Sequence, residues 1–519
     1  MKKEKRGRAR QANPANHVPK QKKSMLLDEL GNALVDEIHN TSSLDRPLNV
    51  PNGSIIDYLR SHSLVTSTGS TTETSSSASN SCSLTRTDST ALTSPDDHSV
   101  SDMTITPLIA TKILVGSIIR SKESLRTGPN ARQPGDVCSL GDFSTTAAIL
   151  RLTGQYGRVA HMGILDHSYR FFVNQEQTAA LSFRVHNRVA IVGGDPLCER
   201  SATSDLLDGF AKYRKQHGWD IAFMGVSESF IQEHAQPRGW MTIRFGTERV
   251  LNPLTNDVLH ENSSKRIAVQ NRQLLHPQKG KITMGAYAPA VHGVQSHLEE
   301  ELVAIYDSWR ATRNEAAGPQ AFITVYNPFA LPTIMTFVYS RGPDGAINGF
   351  AAIRRLGSGG YHIDPYIAAP GSPKGISDLL IVGAMALLHQ AGVSYLGFGF
   401  EPVSTLSLED ITGIRGPFAG ITRNLYEHAC QRLPIHGKKA YHDKFRPDSP
   451  QDSGLFLAFP TSIPKPRYML AMMHMANVSL RKVVWADLRS RVATRKSKSK
   501  IVPDLSKDPE KKVPVDVEK

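Results

Sequence analysis

The alternation of apolar and polar positions predicts two strand–helix–strand units in this chain, about 170 residues apart. In the later unit, a strand over residues 349–363 ends at Asp364, a helix covers 377–390, and a strand over 395–400 ends at Glu401. A helical crossover of this kind makes its two strands parallel. We therefore expect both carboxylates at one edge of the sheet, where open α/β sheets bind ligands. Two acids at such an edge repel, so one of them is expected to retain its proton near neutral pH.

The earlier unit repeats these features. Its first strand ends at Asp195-Pro196, a helix follows over residues 204–216, and a strand over 221–226 ends at Glu228. Each unit combines an Asp-Pro pair, an Asp-Leu-Leu run at the start of its helix and a glycine that stops the helix. The repetition predicts two lobes of related fold, with chance similarity between two ordinary units as the alternative.

The remaining pattern mixes strands with helices and predicts an α/β (α+β) fold. Further helices are expected at 25–40, 264–276 and 291–313. Further strands are expected at 158–165, 170–173, 179–185, 188–192, 321–325, 333–339 and 346–355. The strongly apolar run over 379–388 is too short to span a bilayer and predicts a buried helix.

Composition divides the chain into four predicted regions. Serine and threonine supply 19 of the 29 residues from Thr66 to Ser94, which is typical of disorder. The regions are a disordered basic and Ser/Thr-rich segment over 1–105, a first lobe over 106–260, a second and catalytic lobe over 261–465, and an amphipathic helix with a charged tail over 466–519. The Met-rich helix at 468–485 is expected either at a membrane interface or as a closing helix packed on the second lobe.

Charge indicates a polyanionic partner. The formal net charge is +13 and the isoelectric point is about 9.5, and residues 1–23 alone contribute +8. Such an arm favours RNA or an anionic lipid surface, with nuclear targeting as a competing interpretation. The four cysteines are too scattered for a metal motif or a disulfide framework, and no secretory signal is visible. We therefore expect a cytoplasmic protein with at most peripheral membrane contact and neither metal nor cofactor.

Several motifs, taken in order, resemble one family. They are Gly194-Asp195-Pro196, the basic helix at 265–281, His362-Ile363-Asp364, Glu401-Pro402 after the second strand, and the Lys-x-x-x-x-x-Lys-Phe-x-Pro pattern from Lys438 through Lys444 and Phe445 to Pro447. Together, residues 180–470 resemble the C-terminal catalytic domain of bacterial lysyl-phosphatidylglycerol synthase. The resemblance implies two tandem acetyltransferase-like lobes around a tunnel, and transfer of an amino acid from aminoacyl-tRNA to a lipid hydroxyl.

The chain differs from the bacterial pattern in the residues that follow Asp364. The family shows Ile-Asp-Leu-Met-Arg where this chain has Asp364-Pro365-Tyr366-Ile367, so the arginine is absent. In layout the chain is similar to free-standing fungal members of the family, some of which esterify ergosterol with an amino acid. The resemblance therefore favours a neutral lipid alcohol such as a sterol over phosphatidylglycerol.

The resemblance and the chemistry of the residues together predict a site. Asp364 is expected to orient or deprotonate the acceptor hydroxyl, or to hold the donor α-ammonium, and Glu401 shares these possible roles. Lys444 is expected near the developing oxyanion or the 3′ phosphates of tRNA. The candidate phosphate contacts are Lys438, Lys439, Arg446, Arg272, Lys265 and Arg266. The structural alternatives are a turn cap for Asp364, an exposed strand-end acid for Glu401, and solvated charges for the others.

Two other functions remain open on sequence grounds. An acyl-CoA-dependent acetyltransferase has the same broad fold, although the loop over 369–375 lacks the glycine spacing of its pyrophosphate site. A non-enzymatic RNA- or membrane-binding adaptor would use the basic arm and the C-terminal helix instead.

Overall fold

The computed structural model describes residues 25–40, 135–315, 327–414, 416–430, 436–461 and 465–475. These residues all belong to one compact unit of the chain. The predicted basic arm, the Ser/Thr-rich tract, the strand at 321–325 and the charged tail lie outside them. The division into lobes at residue 260 stays a prediction.

The predicted α/β (α+β) fold class is confirmed. The helices of the described residues are α1 Met25–Asn40, α2 Phe143–Tyr156, α3 Thr203–Gln216, α4 Glu228–Phe230, α5 Lys265–Leu275, α6 Pro289–His292, α7 Ser296–Glu315, α8 Ile376–Gln390, α9 Gly416–Cys430, α10 His436–Asp443 and α11 Pro466–Met475. The strands are β1 Asp136–Cys138, β2 Arg170–Val173, β3 Ala180–His186, β4 Val189–Gly193, β5 Asp220–Val226, β6 Met241–Leu251, β7 Thr283–Tyr287, β8 Met335–Arg341, β9 Ile347–Arg355, β10 Tyr361–Ala368, β11 Leu396–Pro402, β12 Ile411–Thr412 and β13 Ser453–Phe459.

All of these strands join one sheet, in the order β1-β2-β3-β4-β5-β13-β6-β11-β10-β9-β8-β7, with β12 added beside β6. The late strand β13 lies between β5 and β6 and runs antiparallel to both. A strand from near the end of the described chain therefore sits at the centre of the sheet, beside β6.

Both predicted strand–helix–strand units are present. Strands β4 and β5 pair in parallel around α3, and β10 and β11 pair in parallel around α8. Helix α8 is buried along nearly its whole length, because its side chains from Leu379 to Leu388 pack into one large apolar cluster. A helix that is apolar on every side is stable only inside the protein, as the sequence predicted.

Two predictions of secondary structure are wrong in detail. The segment 158–165 contains a short 3-10 helix, Met162–Leu165, rather than a strand. The segment 349–363 holds parts of two antiparallel strands, β9 and β10, joined by a turn at Gly357–Gly360. Helix α11 packs on β3 and β4, and its Met472 and Met475 share an apolar cluster with Leu406, Ile411 and Ala419. The rest of the predicted Met-rich helix, 476–485, lies outside the described residues, and its packing on the second lobe stays a prediction.

Among the described helices, none combines the length and apolar character needed to cross a bilayer.

Helix α1 is docked on α8 by a regular apolar stripe. Leu30, Leu34 and Ile38 recur every four residues and are buried in the same cluster as α8. This spacing places them on one helix face, so α1 is an amphipathic helix at the position that the sequence predicted.

We expect Leu34→Ala to lower the free energy of unfolding by about 2–5 kcal/mol, because it leaves a cavity in a buried interface. Urea unfolding measures the change. Asp36→Ala, on the exposed side of the same helix, is the control and should change stability by no more than about 0.5 kcal/mol. Equal effects of the two variants would show that α1 is not docked.

Candidate functional site

Asp364 lies just beyond the point where strand β10 stops pairing with strand β11. The two strands pair only at Tyr361–Leu396 and His362–Gly397, and the register then shifts on both strands. Asp364 is therefore inside β10, which continues to Ala368, and the prediction that the strand ends there is wrong. Burial, and then the negative charges of Asp364 and Asp378, raise the pKa of Tyr366. Asp364 thus shares an environment with the first turn of α8.

Lys444 is held by an ion pair rather than standing free. Its Nζ lies 2.7 and 2.8 Å from the two carboxylate oxygens of Asp378 at the start of α8. The same ammonium lies 3.8 Å from the ring centroid of Tyr441, whose hydroxyl also donates to Asp378 at 3.0 Å. The Tyr441 ring in turn stacks parallel to Tyr366, with centroids 6.0 Å apart. This aromatic stack connects Lys444 to the strand that carries Asp364.

Glu401 is paired with cations. Its carboxylate lies 2.9 Å from Lys439 Nζ and 3.8 Å from Arg249 Nε, and its side chain is only 13% exposed. Arg249 is also within 3.4 Å of Asp443 and 3.2 Å of Asp452. The expected repulsion between Asp364 and Glu401 is therefore replaced at Glu401 by attraction to two positive groups, because β6 and α10 bring these cations to the end of β11.

A polar cavity of about 550 Å³ opens beside this cluster. Arg249, Asp443 and Arg446 line it, together with the β6–α5 connection at 252–257 and Pro447-Asp448-Ser449. Asp364 and Lys444 do not line it. The tunnel implied by the family resemblance stays a prediction.

The candidate phosphate contacts lie along α5 and near Lys444. Lys265 and Arg266 are exposed in the first turn of α5, whereas Arg272 is ion-paired with Glu261. Ser264, just before α5, donates its hydroxyl to the Lys444 carbonyl at 2.8 Å, which ties this helix to the segment that carries Lys444. Lys438 lies in α10, and its side chain falls outside the described part of the chain.

Sequence reasoning missed a buried acid on the central strand. Glu248 in β6 is 2% exposed, and the Tyr395 hydroxyl donates to its Oε1. Burial raises the pKa of Glu248, with the Tyr395 hydrogen bond and the nearby arginines opposing that shift. The only sequence signal was an adjacent Glu248-Arg249 pair within an otherwise largely apolar strand.

Asp195, just after β4, holds neighbouring segments together through hydrogen bonds and an ion pair. Its Oδ1 accepts from the backbone N–H of Ser227 at 2.8 Å, and its Oδ2 lies 3.3 Å from Arg158. The carbonyl of Asp195 accepts from His161 Nε2 at 2.8 Å, while His161 Nδ1 accepts from the Arg158 backbone N–H. These bonds fix a neutral His161 ring between the end of β4 and the segment after α2.

We expect Lys444→Met to lower the free energy of unfolding by about 1–3 kcal/mol, because it leaves the mostly buried Asp378 carboxylate without its cation. Urea denaturation gives the value. Lys439→Met is the matched control; the Lys439 side chain is 58% exposed, so its loss should cost less than about 1 kcal/mol. A Lys444 variant as stable as the control would contradict a positioned ion pair.

We expect His161 to make the protein less stable in acid. Burial lowers the pKa of His161 to about 4, with the charges of Arg354 and Arg158 acting in the same direction and Asp195 against them. Below about pH 6.5 the unfolded chain binds a proton that the folded chain refuses, so stability falls as the pH drops towards about 4, by up to about 3 kcal/mol. Urea midpoints across this range should fall more steeply for the wild type than for His161→Gln. Parallel pH profiles of the two proteins would contradict a neutral buried His161.

Comparison with known proteins shows which family the chain resembles in sequence. The family model for the C-terminal region of phosphatidylglycerol lysyltransferase matches residues 147–453, more than half of the chain. The lysylphosphatidylglycerol biosynthesis bifunctional protein LysX of Nocardia farcinica is 24% identical over 52% of this chain and 23% of its own length. The phosphatidylglycerol lysyltransferase of Bacillus subtilis is 21% identical over 68% of this chain and 39% of its own length. The chain thus matches well under half of these two relatives.

A solved structure shares the fold. The structure of L-PGS from Bacillus licheniformis covers 67% of this chain and 99% of its own, with a TM-score of 0.51 and 16% identity. The family match, which covers more than half of the chain and spans the strands and helices around Asp364 and Glu401, gives the family. The chain belongs to the phosphatidylglycerol lysyltransferase C-terminal domain family.

Proposed function

We propose that this protein is an aminoacyltransferase that moves an amino acid from aminoacyl-tRNA to the hydroxyl of a membrane lipid. The observation that carries the proposal is the segment from α10 to Arg446. It presents Lys439 to Glu401 and Lys444 to Asp378, and so gathers acids and cations beside the separating ends of β10 and β11. The names of the curated relatives support lipid aminoacylation as the reaction class.

The reaction is a transesterification. The acceptor hydroxyl loses its proton, its oxygen bonds to the ester carbonyl carbon, and the bond from that carbon to the tRNA 3′ oxygen breaks. The released 3′ oxygen takes up a proton, so no cofactor is required. The protein must orient both substrates, accept and return one proton, and stabilise the oxyanion.

Of the two acids predicted for this chemistry, we assign substrate contact to Asp364, because it lies where β10 and β11 separate. Glu401 is paired with Lys439 and Arg249 and helps to hold the segment around α10. Asp364 lies beside the aromatic stack of Tyr366 and Tyr441, where it can hold the donor α-ammonium or orient the acceptor. Lys444 supplies a fixed positive charge next to the same stack.

The tRNA donor is supported by the distribution of positive charge. Lys265 and Arg266 are exposed on α5, and Arg446 lines the polar cavity. Because Ser264 is bonded to the Lys444 carbonyl, these cations belong to one continuous part of the structure. Phosphate contacts of this kind make RNA affinity fall steeply with salt.

We further propose a neutral lipid alcohol, such as a sterol, as the acceptor. Ile367 occupies the position of the arginine in the bacterial pattern, and it is 4% exposed within an apolar cluster. The side chain of a buried isoleucine has neither a positive charge nor a hydrogen-bond donor with which to bind an anionic headgroup. Phosphatidylglycerol, the lipid named for the relatives, is the competing acceptor.

We also propose that the protein works in the cytoplasm and contacts its membrane peripherally. Phe418 and Ile421 on α9 are one turn apart on the helix and are 41% and 63% exposed. Two large apolar side chains on one exposed helix face are suited to shallow insertion at a lipid surface.

We expect Asp364→Asn to lower the rate of amino acid transfer by about 100-fold or more, because it removes the carboxylate that positions a substrate. The assay uses purified protein, a mixture of charged tRNAs, and micelles that contain either a sterol or phosphatidylglycerol. Alkali-labile aminoacyl lipids are then identified by mass spectrometry. Asp344→Asn, in the exposed turn between β8 and β9, makes the same chemical change and should leave the rate unaltered.

Three results would argue against this function. They are product formation from acetyl-CoA instead of aminoacyl-tRNA, equal rates for the Asp364 variant and the wild type, and binding of RNA and lipid with no product from any charged tRNA. A product found only with phosphatidylglycerol would retain the reaction and overturn the sterol assignment.

A further inference from the structure

A second cavity lies on the other face of β6 from the polar cavity. Its volume is about 430 Å³, and Glu248 lines it. The walls come from residues 155–159 at the end of α2 and just after it, the turn at 356–358 between β9 and β10, Tyr395 before β11, and Gln451 and Ser453 around the start of β13. Because successive residues of a strand point to opposite faces, Glu248 and Arg249 serve the two cavities separately.

Close backbone contact builds the walls of this cavity. The backbone N–H of Gly357 donates to the Gly157 carbonyl at 2.9 Å, and a Cβ at Gly357 would come within 2.1 Å of the Gln155 carbonyl oxygen. A Cβ at Gly397 would lie 2.3 Å from Val159 Cγ2. The segment after α2 can therefore lie against the sheet only where these glycines stand.

Glu248 offers an unused acceptor to this cavity. Its Oε1 accepts from the Tyr395 hydroxyl, whereas its Oε2 is buried without a hydrogen-bond partner among the described residues. A buried polar atom left without a partner costs about 1–3 kcal/mol, and more when it is charged. The arrangement is therefore suited to a ligand that donates a hydrogen bond.

The surrounding charges favour a neutral donor over a cation. Glu248 interacts with Arg158, Arg354 and Asp195, so two guanidinium groups already balance two carboxylates. An incoming ammonium would be repelled by both arginines. The aliphatic and aromatic side chains of Val159, Leu356 and Tyr156 provide apolar surface for the rest of the ligand.

We propose that this cavity binds the hydroxyl end of a lipid alcohol and that Glu248 Oε2 accepts its hydrogen bond and then its proton. This inference rests on the proposed function and assigns the proton acceptor within it. The O–H bond breaks as the oxygen attacks the ester carbonyl carbon, and the proton passes from Glu248 to the departing tRNA 3′ oxygen. Asp364 then retains the role of holding the donor α-ammonium.

The acidity of Glu248 suits this role. Burial raises the pKa of its carboxyl, and a base is most effective when its pKa approaches the working pH. The base must be ionised to act, so the transfer rate should rise with pH through the raised pKa of Glu248. The charged and titratable groups facing it are Tyr395, Arg158, Asp195 and Arg354.

The first test measures binding without chemistry. We expect wild-type protein to bind radiolabelled cholesterol in detergent micelles about tenfold more tightly than its methyl ether, which cannot donate a hydrogen bond. Glu248→Gln should abolish that preference, because its amide nitrogen can donate to both compounds. Its amide oxygen can still accept from Tyr395, and urea unfolding at pH 7 should show no loss of stability. Competition by phosphatidylglycerol in the same micelles distinguishes a glycerol hydroxyl from a sterol hydroxyl.

The second test measures transfer against pH. Glu248→Gln should lower the rate about 100-fold or more and remove the acidic limb of the profile, while filter binding of aminoacyl-tRNA stays unchanged. Glu228→Gln, at an exposed acid after β5, is the matched control and should behave as wild type.

The two tests separate this inference from the proposed function. Equal binding of alcohol and ether by the wild type, or a preference kept by Glu248→Gln, overturns the assignment of this cavity. A transfer rate in Glu248→Gln equal to that of the wild type also overturns this assignment and leaves the proposed function intact. An alcohol preference that depends on Glu248, with no transfer from any charged tRNA, supports the cavity as a binding site and overturns the proposed function.

Discussion

The structure around the site depends on burying two opposite charges next to each other in one central strand. Glu248 and Arg249 are consecutive in β6, which lies between β13 and β11. Removing either charge from water is costly unless partners are supplied, and the two side chains face opposite sides of the sheet. Each face of the sheet must therefore supply partners for its own buried charge.

The two faces solve this problem differently. On one face Arg249 is surrounded by carboxylates from three separate segments, Glu401, Asp443 and Asp452. On the other face Glu248 receives one hydrogen bond from Tyr395 and the more distant charges of two arginines. The first arrangement pairs opposite charges and holds β11, α10 and β13 together. The second lacks a cation within ion-pair distance among the described residues and leaves Glu248 Oε2 without a hydrogen-bond partner there.

This asymmetry suits a transferase with two substrates of opposite character. The face with Arg249 adjoins a polar cavity and exposed cations, which are appropriate to the phosphates of the proposed tRNA donor. The aminoacyl ester of that donor must reach the acceptor hydroxyl for transfer to occur. The face with Glu248 adjoins a cavity whose lining combines polar groups with the apolar side chains of Val159, Leu356 and Tyr156, which is appropriate to the proposed lipid alcohol. The strand that separates the two cavities is also flanked by β11, which carries Glu401.

The sequence by itself determined the parts of this protein that depend on local pattern. The 3.6-residue and two-residue periodicities of apolar positions located α1, α3, α8 and most of the strands, and the two crossovers predicted the parallel pairs. Only the tertiary structure decided that Lys439 and Arg249 pair with Glu401, that Lys444 pairs with Asp378, and that β13 enters the centre of the sheet. It alone also revealed Glu248 as a buried acid. Partners such as Tyr395 and Glu248 lie 147 residues apart in the chain, and no local periodicity encodes which distant side chain will share a buried space.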